Sequence, residues 1–307
     1  MKWRKLGVVW KPDGSKWWAR THASCPTPVW LGGERLRVYV QCRDEKNVGR
    51  VGFVDLDPTE PLRVIGCAET PVLDIGAPGA FDDNGVFQCS FAPADDGRLF
   101  MYYVGFELCH HVRYRLLSGL AVSVDGGWSF ERVKSTPVLE RSDSERLFRG
   151  GPFVVSDNGR YRMWYVAGSR WIEIEGKSMP VYDLRYLESE DGVHWPDEGR
   201  VVLDISERDE HGFGRPYVIR DGGRYRLFYS IRKSSLRQYR MGYAESNDGI
   251  QWIRKDDQVG LDVSPEGWDS EAVEYAAIVK VGERTLMFYN GNDFGATGFG
   301  AAELEAE

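Results

Sequence analysis

Cysteine is scarce: five residues in 307, at positions 25, 42, 67, 89 and 109. An odd number without CxxC spacing argues against a disulfide framework or a cysteine-built zinc site. Positive charge is also short, since 39 Lys and Arg face 47 Asp and Glu, and the net charge of −8 carries no basic stripe. That balance argues against a general nucleic-acid or anionic-membrane binder. No apolar run reaches membrane-spanning length, and Met1-Lys2-Trp3-Arg4-Lys5 is followed by no signal-peptide core, so a cytoplasmic protein is expected. Sustained helical periodicity is missing too. Cys109-His110-His111 does not suggest a metal, because adjacent residues on a strand point to opposite faces. No metal ligand and no cofactor is assigned.

What the chain has is a repeat. Arg98-Leu99-Phe100-Met101-Tyr102-Tyr103, Arg160-Tyr161-Arg162-Met163-Trp164-Tyr165, Arg224-Tyr225-Arg226-Leu227-Phe228-Tyr229 and Arg284-Thr285-Leu286-Met287-Phe288-Tyr289 are four copies, and Arg35-Leu36-Arg37-Val38-Tyr39-Val40 is a worn fifth. Their last residues stand 63, 62, 64 and 60 residues apart. So even a period signals repeated structural units, each with room for about four short strands, the content of a propeller blade. The runs alternate with period two, as strands do. Ser-x-Asp-Gly segments follow at Ser123-Val124-Asp125-Gly126, Ser189-Glu190-Asp191-Gly192 and Ser246-Asn247-Asp248-Gly249, which makes Asp125, Asp191 and Asp248 turn-makers. The expected fold is all-β, a five-bladed β-propeller formed by residues 1–307 as a single domain. Its last copy lacks an outer strand, and residues 3–10 are expected to supply one and close the ring.

In such a ring, the entries to the innermost strands converge on one face. The entries here are Thr21-His22-Ala23-Ser24-Cys25-Pro26, Phe81-Asp82-Asp83-Asn84-Gly85-Val86, Phe148-Arg149-Gly150-Gly151-Pro152, Phe213-Gly214-Arg215-Pro216-Tyr217 and Trp268-Asp269-Ser270-Glu271-Ala272-Val273-Glu274. Two carboxylates across a sugar are what glycoside cleavage needs, which nominates Asp82 and Glu271 as the catalytic pair. Glu274 is the reserve for Glu271, and alternation allows only one of the two to face the channel. Arg149 and Arg215 suit an anionic group, because guanidinium binds carboxylate or phosphate bidentately. His22 and Asp83 complete the polar entries. Trp17-Trp18 and Trp171 lie in connections where a ring could stack on a sugar, whereas Trp128, Trp164, Trp195 and Trp252 recur at repeat positions and read as core. The competing interpretation makes the acids turn caps and the arginines their structural partners.

Gly79-Ala80-Phe81-Asp82-Asp83-Asn84-Gly85-Val86, together with Tyr102-Tyr103, Ser123-Val124-Asp125-Gly126-Gly127-Trp128 and Tyr243-Ala244-Glu245-Ser246-Asn247-Asp248-Gly249-Ile250-Gln251-Trp252, resembles the five-bladed β-propeller glycosidase superfamily. That superfamily includes arabinanases, β-xylosidases, invertases, levansucrases and mannoside phosphorylases. With Gly267-Trp268-Asp269-Ser270-Glu271 and Phe288-Tyr289-Asn290-Gly291-Asn292, the chain is also similar to single-domain members associated with bacterial polysaccharide gene clusters. The resemblance implies a carbohydrate or sugar-phosphate ligand and glycoside hydrolysis, with binding alone, or glycosyl transfer or phosphorolysis from an anionic donor, as alternatives. It leaves open a metal ion on the channel axis, and it gives no oligomeric state. One departure counts against cleavage: arabinanase and invertase relatives carry an Asp on the first innermost strand, where this chain has Ser24-Cys25-Pro26.

Overall fold

The computed structural model describes all residues except 32–34, 95, 158, 206–208, 237 and 306–307. Almost every ordered element is a strand. An N-terminal strand β1 (Trp3–Trp10) is followed by antiparallel meanders: β2 (Thr21–Leu31), β3 (Arg35–Arg43), β4 (Gly49–Leu56) and β5 (Val64–Cys67); then β6 (Val86–Pro93), β7 (Leu99–Leu108), β8 (Tyr114–Ser123) and β9 (Glu131–Arg132). Next come β10 (Phe148–Asp157), β11 (Arg160–Ile174), β12 (Lys177–Ser189) and β13 (Arg200–Leu203), then β14 (Glu210–Asp221), β15 (Arg224–Lys233), β16 (Arg240–Ser246) and β17 (Ile253–Arg254). The last strands are β18 (Glu274–Val281), β19 (Arg284–Asn290) and β20 (Phe299–Leu304). The repeated tyrosines Tyr103, Tyr165, Tyr229 and Tyr289 all lie on the second strand of their meander.

By contacts the chain divides into two compact units: residues 1–72, 217–231 and 237–307 form one, and residues 73–216 with 232–236 the other. In the first unit, β1 lies antiparallel to β20, with Trp3 opposite Leu304 and Trp10 opposite Phe299, so the N-terminal strand completes the β18-β19-β20 sheet. Trp3 is buried there and its indole Nε1 donates to Val259 O at 3.0 Å. In the second unit, Phe100, Tyr102, Leu120, Tyr161, Met163, Tyr165 and Leu187 share one apolar cluster. Middle strands are buried on both faces, which is why Tyr165 and its outward neighbour Trp164 are equally hidden.

One device recurs at the repeat tyrosines: each phenol donates to a carboxylate that also meets a cation. Tyr103 donates to Asp82 Oδ2 at 2.9 Å, where Arg132 Nε donates at 2.8 Å. Tyr165 donates to Glu145 at 2.7 and 2.8 Å, beside Arg149 and Arg185. Tyr229 donates to Asp256 at 2.6 Å, which Arg254 also holds, and Tyr289 to Asp269 at 2.9 Å, paired with Lys5 at 2.7 Å. Burial and the adjacent carboxylate push these phenols well above the usual tyrosine range. Two of the rings fit because a glycine stands opposite: a Cβ at Gly119 would come within 2.3 Å of the Tyr103 ring, and one at Gly242 within 2.4 Å of Tyr229. In the first meander Val40 occupies this place, and the buried Trp18 covers Gly52 instead.

The Ser-x-Asp-Gly segments form the expected turns. Asp125 Oδ1 accepts from the amides of Trp128 and Ser129, Asp191 Oδ1 from Val193 and His194, and Asp248 Oδ1 from Ile250 and Gln251. The core expectation for the repeat tryptophans needs correction at Trp128, which is 50% exposed because its turn projects it outward. Trp195 and Trp252 are partly buried, each donating from Nε1 to the turn-glycine carbonyl at 3.1 Å.

Candidate functional site

Three meanders share a kink in their first strand. Pairing of β2 with β3 slips between Ser24 and Thr27, of β10 with β11 between Gly150 and Phe153, and of β18 with β19 between Glu274 and Ala277. At each slip one residue takes a left-handed backbone: Cys25 at φ 53°, Gly151 at 62° and Tyr275 at 60°. Arg215, in the matching Gly-Arg-Pro segment of β14, has φ 40°. The bulge re-aims side chains at the strand entry.

In the first unit these entries build a cluster. Glu274 is 1% exposed, and its Oε1 accepts from Asn290 Nδ2 at 2.6 Å, while Asn290 Oδ1 accepts from the Cys25 amide at 3.1 Å. Arg43, at the end of β3, lies within electrostatic reach of Glu274, Tyr275 and Cys25. Burial, and secondarily Arg43, lowers His22 to about 4, so its imidazole is neutral at neutral pH. The Tyr239 ring packs 5.5 Å from Tyr275 and 6.1 Å from Phe294, whose carbonyl accepts from Ser24 Oγ. Glu271, by contrast, is exposed. Its Oε2 accepts from Gln238 Nε2 at 2.8 Å; the same nitrogen donates to Asp293 Oδ1 at 3.3 Å, and Gln238 Oε1 accepts from the Asp293 amide at 2.7 Å. Asn292 fixes the Glu271 backbone by accepting from the amides of Glu271 and Ala272. The shared amide nitrogen therefore holds one oxygen of each carboxylate no more than about 6 Å from the other, close enough for both to reach one glycosidic bond.

Glu271 stands on the segment ahead of β18 and is exposed, whereas Glu274, the first residue of β18, is buried. His22, Cys25, Tyr275, Asp293 and Phe294, all in this cluster, are five of the eight non-glycine residues with positive φ among the described residues. Such backbone costs about 1–3 kcal/mol per residue and gathers where the surroundings over-determine it, commonly at functional sites. A cavity of about 290 Å³ in this unit lies elsewhere, lined by Trp3, Arg220, Phe228, Lys280 and Thr285 near the far end of β18. It is not at the cluster.

The second unit holds Asp82, Asp83, Arg149, Trp171 and Arg215, and three of them, Asp82, Arg149 and Arg215, are buried. Asp82 is 0% exposed and belongs to the tyrosine device, so the expectation of an accessible acid at 82 is corrected by its burial under Tyr103 and Arg132. Arg149 is equally hidden: its guanidinium meets Glu145 at 2.5 Å and donates to the carbonyls of Glu140 and Pro196. An anion-binding role for Arg149 is thereby replaced by an internal ion pair. Asp83 accepts from the Gly79 amide at 2.8 Å and from Asn84, a loop-closing role. Arg215 is buried, and Trp171 is half-buried with its ring 5.9 Å from Tyr114. Of the paired connection residues, Trp17 is half exposed but Trp18 is buried, donating to Glu69 O at 3.0 Å, so stacking on a sugar at Trp18 is excluded by packing. Among the described residues no three His, Cys, Asp or Glu side chains gather as a metal would require, and no helix is long and apolar enough to cross a membrane.

The sequence reading missed Gln238 and Asp293, which come from two loops whose proximity no spacing encodes. Glu145 and Asp256 were not foreseen and Asp82 was given another role, although a signal for the tyrosine device exists: Asp82, Glu145 and Asp269 precede their tyrosines by 21, 20 and 20 residues.

No family model matches the chain. Its fold is that of the glycoside-hydrolase-like β-propellers. It superposes on a glycoside hydrolase with a TM-score of 0.76 at 19% identity, covering 99% of this chain and 92% of that one. A thermostable family-43 glycoside hydrolase gives 0.67 at 15% identity, covering 94% and 91%. A structure from work on the GH130 family of mannoside phosphorylases gives 0.73 at 15%, covering 99% and 93%. In sequence, the chain is 38% identical over 305 residues to the uncharacterised protein Rv1502 of Mycobacterium tuberculosis strain H37Rv, covering 99% of this chain and all of that one. MT1551 of strain CDC 1551 matches equally. The chain belongs to the Rv1502 family.

Proposed function

We propose that residues 1–307 form one five-bladed β-propeller, closed by β1 as the outer strand of the last blade, and that the protein acts on a carbohydrate by hydrolysing glycosidic bonds. Similarity to glycoside hydrolases along nearly the whole chain supports the carbohydrate class. The observation that carries hydrolysis is the pair of carboxylates, Glu271 and Asp293, tethered to one buried amide in a strained, aromatic-walled entry. One carboxyl group gives its proton to the leaving oxygen while the other attacks the anomeric carbon. Water then cleaves the glycosyl ester, with the first group as base. Asp293 replaces Asp82 as the partner of Glu271 because Asp82 is enclosed by Tyr103 and Arg132. The half-buried His22 and Tyr275 position the sugar, while the buried Glu274 and Tyr239 support the entry by holding Asn290 and packing on Tyr275. Phosphorolysis through Arg149 loses its support, since that guanidinium is already neutralised by Glu145.

The superfamily resemblance gives one reason for binding without cleavage, since arabinanases and invertases carry an Asp on the first innermost strand and this chain has Ser24-Cys25-Pro26. Reducing-end release from a panel of plant, fungal and bacterial polysaccharides separates the two. Glu271→Gln and Asp293→Asn should each lower turnover by about 10³-fold or more with unchanged circular dichroism, while Asp82→Asn folds less stably yet retains turnover per folded molecule. Wild-type-like turnover in both of the first two variants would reject the pair. Glycan binding with no turnover of any substrate would favour the binding module.

A further inference from the structure

We propose that the hairpin β7-β8 and the overlong hairpin β11-β12 form a docking platform for an acidic glycan, one whose sugars carry carboxylates. This rests on the carbohydrate function and deepens it by naming the substrate class. At 15 and 13 residues, β11 and β12 outreach every other strand, and β7 and β8 have 10 each. Four half-buried rings follow one another, Phe87 on β6 and three on these hairpins: Phe87 to Phe106 at 5.7 Å, Phe106 to Tyr114 at 6.1 Å and Tyr114 to Trp171 at 5.9 Å. Partly exposed rings in a row offer flat apolar surface to the C–H faces of successive sugars.

Two of the cations beside them are free of ion pairs among the described residues. Arg113 places its guanidinium 5.8 Å from the Tyr114 ring centre, Arg170 adjoins Trp171 in the chain, and both are exposed. Neither has an ion pair among the described residues, whereas Arg115 on the same hairpin is taken by Glu107 at 3.2 Å. Exposed His110 and His111 complete the tip, their rings 5.0 Å apart. Of the hairpin's own acids, Glu175 lies at the turn before Lys177, and Glu173 stands on β11 opposite Ser178, three residues on from Arg170. In a chain of net charge −8, two uncommitted guanidinium groups beside a ring row point to an anionic ligand, and guanidinium geometry matches carboxylate. The buried Arg149 cannot play that part.

Calorimetry with the intact chain tests this, using oligosaccharide pools from polygalacturonate and alginate, their carboxyl-reduced counterparts, and a phosphomannan digest. At least one uronate pool should bind, weaken with added salt, and lose about tenfold in affinity on carboxyl reduction. Arg113→Gln and Arg170→Gln should each cost about 3- to 10-fold for that pool and nothing for its reduced form, as a partly screened charge contact would. Trp171→Ala should weaken both forms alike. No binding of either uronate pool, equal binding of the reduced forms, or binding of phosphomannan alone would overturn the proposal. Uronate binding with unchanged turnover in Glu271→Gln would leave the platform standing while removing the hydrolase assignment.

Discussion

Tyr103→Phe removes one hydroxyl and leaves the ring, so it isolates the bond to Asp82. That bond is 2.9 Å long, and its acceptor is a carboxylate with 1% side-chain exposure. Oδ1 of Asp82 already has no hydrogen-bond partner among the described residues, which leaves Tyr103 and Arg132 as its stabilising donors. A hydrogen bond to a charged group contributes about 1.5–3 kcal/mol, and the loss falls in the upper part of that range when the acceptor stays buried. With a urea m-value near 2 kcal/mol/M, the transition midpoint should fall by roughly 1 M, read by tryptophan fluorescence. The cycle with Asp82→Asn is the sharper assay: residues in one network couple, so the double variant should be less destabilised than the sum of the singles by about 1 kcal/mol. Tyr289→Phe with Asp269→Asn should behave alike. Strict additivity, or a midpoint shift below about 0.2 M, would refute the load assigned to these phenols.

Trp3→Ala should destabilise by about 3–5 kcal/mol, because the indole is buried and bonded to Val259, and limited proteolysis should then cut first within residues 1–10. Partial burial pushes Asp125 up, but hydrogen bonds from Ser123, Ser129 and two amides bring it down to about 2, so Asp125→Ala should cost about 1 kcal/mol in a chemical melt and leave catalysis unchanged. His22 is depressed from 6.5 to about 4, so the native state binds fewer protons than the unfolded state between those values. Stability should rise by roughly 1–2 kcal/mol from pH 4 to 6.5, after allowance for partial exposure, and stay level above that; His22→Asn should remove this increment in pH-dependent melts, leaving the share owed to His211, which burial lowers too.

Strands and turns were legible because they are local. Tyr165 and Met163 had to be two apart to share a face, and Asp191-Gly192 had to close a turn wherever it stood between strands. The missing outer strand beside Phe299–Leu304 was legible for a different reason: a sheet edge must be covered, and Trp3–Trp10 had no other partner. The site was less readable. Asp82 and Glu271 look alike in sequence, both acids just ahead of an innermost strand. What separates them is whether a tyrosine 21 residues later closes over the carboxylate, and at Glu271 none does. Arg149 misled for the same reason, since its partner Glu145 sits only four residues away on an unremarkable loop.

The kinked strand entries show how architecture and function divide here. Cys25, Gly151, Arg215 and Tyr275 occupy matched left-handed positions, and glycine at 151 demonstrates that the bulge itself asks for no side chain. Every other residue type at such a position costs about 1–2 kcal/mol relative to glycine. Tyr275 offsets that cost with an aromatic contact to Tyr239, and Tyr239 in turn packs on Phe294, itself left-handed, next to Asp293. The strain at one inner strand is thus connected, ring by ring, to the loop that presents a carboxylate beside Glu271. A scaffold under no demand except stability would relax these positions to glycine, and the retained side chains are the strongest physical reason to look for chemistry at this entry.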